Sequence, residues 1–449
     1  MSKLFNDFEE ISSKAWKQKI QVDLKGADYN DTLIWKTPDG INVKPFYHAD
    51  EFKDLPEVSK SKATDWKIAQ AFEVNAAREA NTQAKIAIEK GAEFIIFNIN
   101  NSEIDINTLV EGIETGIHIN ASEFSIEFIE SISSLKRKNI SFNNDIIGHL
   151  GKTGNWFSNL KEDHLTFEKS VSNSNQIFVD LTHYQNAGAN NVQQLAYALA
   201  HVNEYLNHLT NNSKKLDQLN VTFSVSVGSN YFFEIAKLRA LRQLWSVLAK
   251  SYNANIDCKV IATPSRRNKT IYDYNVNMLR TTTECMSAVL GGANVICNQP
   301  YNKLFQNPTE FGERISRNQL LILKKESYFD AVNNPSDGSY YIESLTEQLS
   351  EKALELFKNI ETNGGFLKQL KEGTIQRKIK ESATEEQSAF NNGEITLLGT
   401  NKHPIADDKM ASNLEKMPFL KIEKRKTLIV PIIEKRLSEE LEAKRLKEE

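Results

Sequence analysis

The chain has 449 residues, with 55 lysines and arginines against 59 aspartates and glutamates, so its net charge is −4. The two signs alternate without a basic stripe, which argues against nucleic acid or anionic lipid as a partner. We find no apolar run long enough to span a bilayer, and the first ten residues are too polar for a secretory signal. The three cysteines lack metal-ligand spacing, which favours reduced thiols in a cytoplasmic protein.

The first sixty residues differ in pattern from the rest of the chain. An amphipathic helix is predicted over 8–24, followed by a turn over 25–31. Residues 33–45 have the pattern of a hairpin, with Pro38, Asp39 and Gly40 in its turn. Such a segment has too little core to fold alone, so residues 1–60 are predicted to form an arm that packs on the main body or on another chain.

From residue 61 to about 330, short apolar segments alternate with amphipathic ones, the pattern of parallel β-α-β units. The predicted strands are 66–74, 93–99, 116–120, 140–146, 176–181, 220–227, 257–263 and 294–299. The predicted helices are 76–90, 107–114, 123–138, 191–209, 230–252, 272–290 and 311–327. The fourth unit is weak, because 148–175 has a poor helical pattern. Eight units in succession nevertheless predict an α/β fold, a (β/α)8 TIM barrel.

The residues after the barrel are predicted to form a helical extension and a tail. A strong amphipathic helix covers 339–361, and two shorter ones follow to about residue 391, within an extension of 331–410. The tail, 411–449, is rich in charge, and its end from residue 434 is predicted to be a solvated helix or disordered.

In a parallel barrel, functional side chains lie where strands end. Among the polar residues at these positions, His183 is the best single candidate for acid–base chemistry, and Asp180 lies near it in the chain. No pair of carboxylates converges on it in the pattern, so caps and loop contacts remain the simpler interpretation. The other strand-end candidates are Glu73, Asn75, Asn98, Asn100, His118, Asn120, Ser122, Asn143, Asn144, Asp145, Thr182, Ser226, Ser229, Thr263, Ser265, Arg266, Arg267, Asn298 and Gln299.

Two further patterns were weighed and are disfavoured. His201, Glu204 and His208 could share one face of a helix, but a solvated polar face explains them better than a zinc site. Gly151, Lys152 and Thr153 match only the end of a phosphate-binding loop, and no helix start follows them cleanly.

Several longer stretches resemble the methylmalonyl-CoA mutase family, and within it more closely the small, non-catalytic subunits. The matches span roughly residues 220–390 in order and at the expected intervals; they include GSNYFFEIAKLRA at 228–240, NMLRTTTE at 277–284, NPTE at 307–310, RISRNQ at 314–319 and GSYYIESLT at 338–346. The resemblance implies a barrel, a partner chain and adenosylcobalamin radical chemistry in the complex.

The same resemblance implies that this chain does not perform the chemistry. The family's cobalamin-binding motif D-x-H-x-x-G is absent, and the first strand ends at Phe72 to Asn75 without the family's tyrosine. Asn220, Ile261 and Thr263 align with the family's Arg, His and Gln, whereas His183 and Gln185 match it. The expectation is a barrel lacking the cobalamin-binding domain, with no cofactor of its own. Its partner, the large subunit, would bind adenosylcobalamin and the acyl-CoA.

Two alternatives stay open at this point. The chain could be an active acyl-CoA mutase barrel whose cobalamin domain is a separate chain, and His183 and Gln185 would then be catalytic-site residues. It could also be an unrelated barrel hydrolase or lyase that uses Asp180 and His183, although no motif supports a particular reaction.

Overall fold

A computed structural model describes residues 9–52, 63–101, 103–212, 216–254, 256–420 and 425–449. Within these ranges the chain forms an N-terminal arm, an eight-stranded parallel barrel and a C-terminal helical extension. The predicted boundary between arm and barrel, at residue 60, lies outside the described residues. No helix in these ranges has both the length and the apolar character needed to cross a membrane.

The arm contains the helix and hairpin that the sequence predicts. Its elements are α1 (Ser13–Asp23), α2 (Tyr29–Leu33), β1 (Trp35–Lys36) and β2 (Asn42–Val43), the two strands being antiparallel. The Ser12 hydroxyl accepts a hydrogen bond from Ala15 N and caps α1. Gly40 takes a positive φ of 67° in the hairpin turn, which a residue without Cβ adopts at little cost.

The barrel is an eight-stranded sheet in which every paired neighbour is parallel. Its strands are β3 (Lys67–Val74), β4 (Phe94–Ile99), β5 (Gly116–Ala121), β6 (Ile140–Phe142), β7 (Gln176–Asp180), β8 (Asn220–Val227), β9 (Cys258–Pro264) and β10 (Val295–Cys297). The order is β6-β5-β4-β3-β10-β9-β8-β7, so the last strand pairs with the first. The predicted α/β barrel is confirmed, with a seam between β6 and β7.

Side chains close this seam. The Asn144 carboxamide accepts from Phe178 N and donates to Gln176 O, both at 2.9 Å. The Asp145 carboxylate accepts from Asp180 N at 2.7 Å. Backbone groups of β7 that would otherwise be buried without partners are satisfied in this way.

The helices outside the barrel follow the predicted alternation. They are α3 (Ala77–Glu89), α4 (Ile106–Val110), α5 (Ile126–Ser134), α6 (Ile146–Thr153), α7 (Leu160–Ser174), α8 (Thr182–Asn186), α9 (Asn191–Asn211), α10 (Tyr231–Ser251), α11 (Val276–Leu290) and α12 (Glu310–Leu321). A π-helical turn, Ile322–Glu326, continues α12. The predicted start of α11 at residue 272 was four residues too early.

The prediction of a poorly helical fourth unit was wrong. The strand ends at Phe142 instead of residue 146, and α6 and α7 occupy most of the segment that follows. Asn159 caps α7 by accepting from Lys161 N and Glu162 N, so a residue that weakens a helical pattern here starts a helix. The Gly-Lys-Thr stretch lies at the end of α6 and forms no phosphate-binding loop.

The C-terminal extension contains α13 (Tyr340–Thr362), α14 (Phe366–Lys371) and α15 (Thr374–Asn391), as predicted, and ends in α16 (Glu439–Glu448). Helix α13 packs against α9 and α10. For the end of the tail, residues 434–449, the structure has the helix that was one of the two predicted states, α16, but the prediction that this end is solvated or disordered was wrong. There Arg436 and Glu442 are buried and paired with each other, so charged residues belong to the folded body.

Candidate functional site at the barrel mouth

Apolar side chains fill the barrel interior at the level of its strand centres. A cluster of buried residues lies there, consisting of Ala69, Phe94, Ile96, Phe178, Ile261, Val295 and Cys297. The Phe94 ring occupies the space beside Gly116, where an added Cβ would come within 2.5 Å of it. His118 stacks on Phe178 with their ring centroids 4.4 Å apart. The interior is therefore a packed core at this level.

A row of polar side chains lies above this core, towards the carboxyl ends of the strands. The register places Glu73, Asn98 and Asn120 side by side on β3, β4 and β5. Asn98 donates to Glu73 at 2.9 Å, and Asn120 donates to Asn98 at 3.0 Å. His118 extends the row through hydrogen bonds of 3.0 Å to Asn120 and Ser141. Burial lowers the pKa of His118 to about 4, so its imidazole is neutral at pH 7.

His183, the predicted acid–base candidate, lies at the mouth but is sealed from solvent. Its side chain belongs to a residue that is 1% exposed, and neither ring nitrogen has a hydrogen-bond partner among the described residues. Burial lowers the pKa of His183 to about 4. Asp180 does not hydrogen-bond to it, because that carboxylate accepts from the Thr182 N–H and hydroxyl at 3.0 and 2.6 Å. The pair that a hydrolase or lyase would need is therefore not formed.

Gln185, the second residue that matches the family pattern, serves as a bridge between elements. Its Nε2 donates to Glu234 Oε1 at 2.9 Å, and its Oε1 accepts from Lys237 Nζ at 3.0 Å. Lys237 also donates to Gln194 and to the Ser226 carbonyl. Both ends of the Gln185 carboxamide are thus occupied by a buried network that ties α8 to α10.

The chain's own C-terminal segment, residues 425–437, covers the mouth; we call it the strap. Its backbone N–H groups donate to carbonyl oxygens in the segments that follow β6, β7 and β9, in the pairs Leu428 to Gly154, Ile432 to Gly151, Lys435 to Asn186 and Leu437 to Arg267. Ile432 is 4% exposed and lies beside Gly151, as does His183. The strap therefore lies over the β6, β7 and β9 side of the carboxyl end of the barrel and covers His183.

The residues at this mouth do not fit a corrin. A planar macrocycle would need an uncovered face at the carboxyl ends of the strands, and the strap lies across that face. The imidazoles of His118 and His183 are both buried at 1% exposure, and that of His149 in α6 stacks on Phe157. We therefore derive no chemical step through such a group in this chain.

His201 was predicted to lie on a solvated face, and this prediction was wrong. The residue is fully buried; its Nε2 donates to the Asp145 carboxylate at 2.8 Å, and its Nδ1 lies 3.0 Å from the Tyr184 hydroxyl. Asp145 also accepts from the Tyr205 hydroxyl and from Gly148 N. Burial opposes ionisation of Asp145, but His201 and these donors outweigh it and lower the pKa of the carboxyl.

The other two residues of that face point elsewhere. Glu204 accepts from Leu367 N at the start of α14, and His208 pairs with Glu168 on α7. Within the described ranges no group of three histidine, cysteine or acidic residues is arranged to hold a metal ion. The helix spacing therefore reflects packing between α9 and its neighbours.

A cleft of about 1070 Å³ opens beside the covered mouth. It lies between α3, α12 and the loop joining β10 to α12, under residues 416–420 and 434–439. Arg266 and Lys303 line it. Arg266 was among the predicted strand-end residues, whereas Lys303 was missed because a lysine in an irregular loop carries no pattern that singles it out.

The chain is a parallel (β/α)8 barrel with polar strand ends, a fold class in which many members are enzymes. The strap lies over its mouth. The model of the family described as methylmalonyl-CoA mutase matches residues 140–448. The chain is 32% identical to the methylmalonyl-CoA mutase small subunit of Porphyromonas gingivalis, over 91% of this chain and 73% of that protein. The chain therefore belongs to the methylmalonyl-CoA mutase family.

Two further relatives are named as the whole enzyme. Methylmalonyl-CoA mutase of Cereibacter sphaeroides is 29% identical over 88% of this chain and 64% of its own length. The mitochondrial methylmalonyl-CoA mutase of Homo sapiens is 27% identical over 87% of this chain and 60% of its own length. The chain thus spans less than two thirds of either of these mutases.

Proposed function

We propose that this chain is a non-catalytic small subunit of a methylmalonyl-CoA mutase. It pairs with a large subunit that interconverts (R)-methylmalonyl-CoA and succinyl-CoA using adenosylcobalamin. The observation that carries the proposal is the strap, which covers the barrel mouth over a buried, neutral His183. The similarity to the Porphyromonas gingivalis small subunit supports the same assignment.

The interior of the barrel also favours a non-catalytic role. The substrate carries a thioester and a carboxylate, which need cationic and polar partners when they are taken out of water. Ile261 aligns with a histidine of the family, and here it belongs to the buried apolar cluster with Phe178. A carboxylate left unpaired in such surroundings would cost several kcal/mol, on the order of the penalty for a buried charge.

The N-terminal arm is the proposed contact surface for the large subunit. Helix α1 buries none of its residues, and Ile11 and Val22 are 65% and 72% exposed. The arm is nevertheless held in place, because Asp39 in the hairpin turn accepts from Asn191 N at 2.7 Å at the start of α9. An ordered segment that exposes apolar side chains suits docking on another protein.

Co-expression with the large subunit tests the assignment. We expect the two chains to co-purify and the complex to isomerise methylmalonyl-CoA, whereas this chain with adenosylcobalamin and substrate shows no turnover. Turnover by this chain alone, or with a separate cobalamin-binding chain in place of the large subunit, would overturn the proposal.

The role of the arm is tested separately with a double variant, Ile11→Asp with Val22→Asp. Both residues are exposed, so the variant should keep the melting temperature of the isolated chain and lose the large subunit during co-purification. Leu165→Asp is the matched control, since Leu165 is 52% exposed on α7, away from the arm. If the wild type, the double variant and Leu165→Asp all retained the large subunit equally, the arm would not be part of the interface.

A further inference from the structure

The cleft beside the mouth gives a side entrance to the upper part of the barrel. At its rim Lys90 on α3 and Glu310 on α12 stand 4.0 Å apart, and both are largely exposed. At its inner end the lining reaches Ala71 and Glu73 of β3, and Ala71 packs against the apolar cluster in the barrel. The cleft thus runs from the surface between two outer helices to the space under the C-terminal segments.

Lys303 stands in the wall of this cleft with no direct ion pair among the described residues. Among the described residues its ammonium group makes no hydrogen bond or ion pair, although the side chain is half-buried. Burial lowers the pKa of Lys303, and the positive charge of Arg266 lowers it further. The negative charge of Glu73 offsets only part of this effect, and Glu313, which also lines the cleft, is close enough to feel the charge of Lys303 without forming an ion pair with it. A cation in this position is costly unless an anion joins it.

Other buried cations of the chain differ from Lys303 in this respect. Each of those that the structure describes as buried has an ion pair or a side-chain hydrogen bond; they are Lys237, Arg239, Arg267, Lys269, Arg317, Lys324 and Arg436. The described buried cations therefore all have partners, whereas the half-buried Lys303 has no such contact and lines a cavity.

Arg266 supplies a second cationic group to the same cleft. Its side chain is half-exposed, and its ion pair with Glu434 is long, at 3.9 Å. A guanidinium has five N–H donors, so most of those of Arg266 stay available for an anion. The cleft volume of about 1070 Å³ is at the upper end for small-molecule sites, which favours a ligand larger than a single inorganic ion.

We propose that this cleft binds an elongated organic anion, with a phosphate or carboxylate group held by Lys303 and Arg266. The site goes beyond the proposed function, because binding there requires neither turnover nor a partner chain. Phosphate and carboxylate present the same kind of acceptor oxygens, and the two are separated by experiment.

Calorimetric titration of the isolated full chain with inorganic pyrophosphate and with citrate is the direct test. We expect at least one anion to bind with a Kd of about 1 mM or tighter. Lys303→Met should weaken it by about tenfold or more, since a charge-assisted contact is lost. Lys303→Arg should keep most of the affinity. The matched control is Lys90→Met at the rim, which should change the affinity by less than about threefold, as expected for an exposed charge.

The unfolding temperature of the free protein gives an independent readout. Lys303→Met should raise it, because an unpaired and desolvated ammonium is removed, and should abolish any increase that pyrophosphate or citrate produces in the wild type. Absence of heat and of a thermal shift with both anions at about 10 mM would overturn the proposal. Equal binding by the wild type and Lys303→Met would do so as well. Neither outcome bears on whether the chain is catalytic.

Discussion

At the scale of single residues, two histidines of the barrel show how burial and hydrogen bonding combine. His118 and His183 are equally buried, and burial lowers the pKa of each to about 4. Both nitrogens of His118 are hydrogen-bonded, whereas those of His183 have no partner among the described residues. A buried polar atom without a partner costs about 1–3 kcal/mol, so His183 weakens the fold where His118 supports it.

We therefore predict opposite effects for one substitution at the two sites. His183→Leu should leave the free energy of unfolding at pH 7.5 unchanged or raise it by about 1 kcal/mol, because an unsatisfied group is removed. His118→Leu should lower it by about 1–2 kcal/mol, because Ser141 and Asn120 lose their partner. Urea titration of both variants measures this. Destabilisation by His183→Leu as large as that by His118→Leu would show that His183 does have partners.

Asp145 connects the β6–β7 seam to α9. It accepts from Asp180 N, Gly148 N, the His201 ring and the Tyr205 hydroxyl. Asp145→Asn should lower the free energy of unfolding by about 3 kcal/mol, because an amide cannot accept from all four donors and buried groups are left without partners. Asp23→Asn, which breaks an exposed pair with Lys19, should change it by less than about 0.5 kcal/mol. Urea titration distinguishes them, and similar effects would contradict the role of Asp145.

At the scale of elements, the strap decides the access to the mouth. It forms no helix or strand over 425–437, yet its backbone is tied to loops that follow three different strands. Ile429 and Ile432 anchor it through burial at 5% and 4% exposure, whereas Val430 and Ile433 point outward at 64% and 38%. Buried and exposed positions thus each recur after three residues around Pro431, the period of a polyproline II segment lying on a surface.

The buried Ile432 and the more exposed Ile433 beside it give a matched pair of variants. Ile432→Asp should place a carboxylate in the apolar contact near Gly151 and detach the strap, so that the amides of Leu428, Ile432 and Lys435 exchange hydrogen faster by at least about tenfold. Ile433→Asp should leave these rates unchanged. Hydrogen exchange followed by mass spectrometry of the 425–437 region measures both. Protection that survives in Ile432→Asp would mean that backbone bonds alone hold the strap.

At the scale of the whole molecule, the three histidines with the largest pKa shifts couple folding to pH, and partial burial lowers the pKa of His164 as well. Burial lowers the pKa of His118, His149 and His183 to about 4, whereas a histidine in the unfolded chain titrates near 6.5. As the pH falls below about 6.5, the unfolded state takes up these protons first and is favoured. The loss of stability is complete for each group only when the pH has passed the folded value near 4.

We therefore predict that the free energy of unfolding falls between pH 6.5 and pH 4, by up to about 1.4 kcal/mol per pH unit for each of the three imidazoles. His183→Leu should reduce that slope by about one third. Asp145 acts in another window, because its pKa is lowered and its contribution is lost only below about pH 3.8. Urea titrations at several pH values test this, and a flat profile above pH 4 would contradict it.

The sequence by itself determined the architecture. Strands and helices are encoded by the spacing of apolar residues over a few turns, and that information is local. For this reason the eight strands, the hairpin around Gly40 and the long helix α13 were predicted close to their observed positions. The family was readable for a similar reason, since its motifs are continuous stretches of chain. The untested expectations, including the cytoplasmic location, remain predictions.

Only the tertiary structure decided what surrounds the candidate residues. His201 lies off the apolar face of α9 on a helical wheel, yet it is buried, because Phe366 of α14 stacks on its ring. His183 and Ile432 of the strap lie beside the same residue, Gly151. The charges that act on Lys303 come from distant parts of the chain, among them Arg266 and Glu73. Burial and charge balance at these sites depend on contacts between segments far apart in sequence, and no local pattern records such contacts.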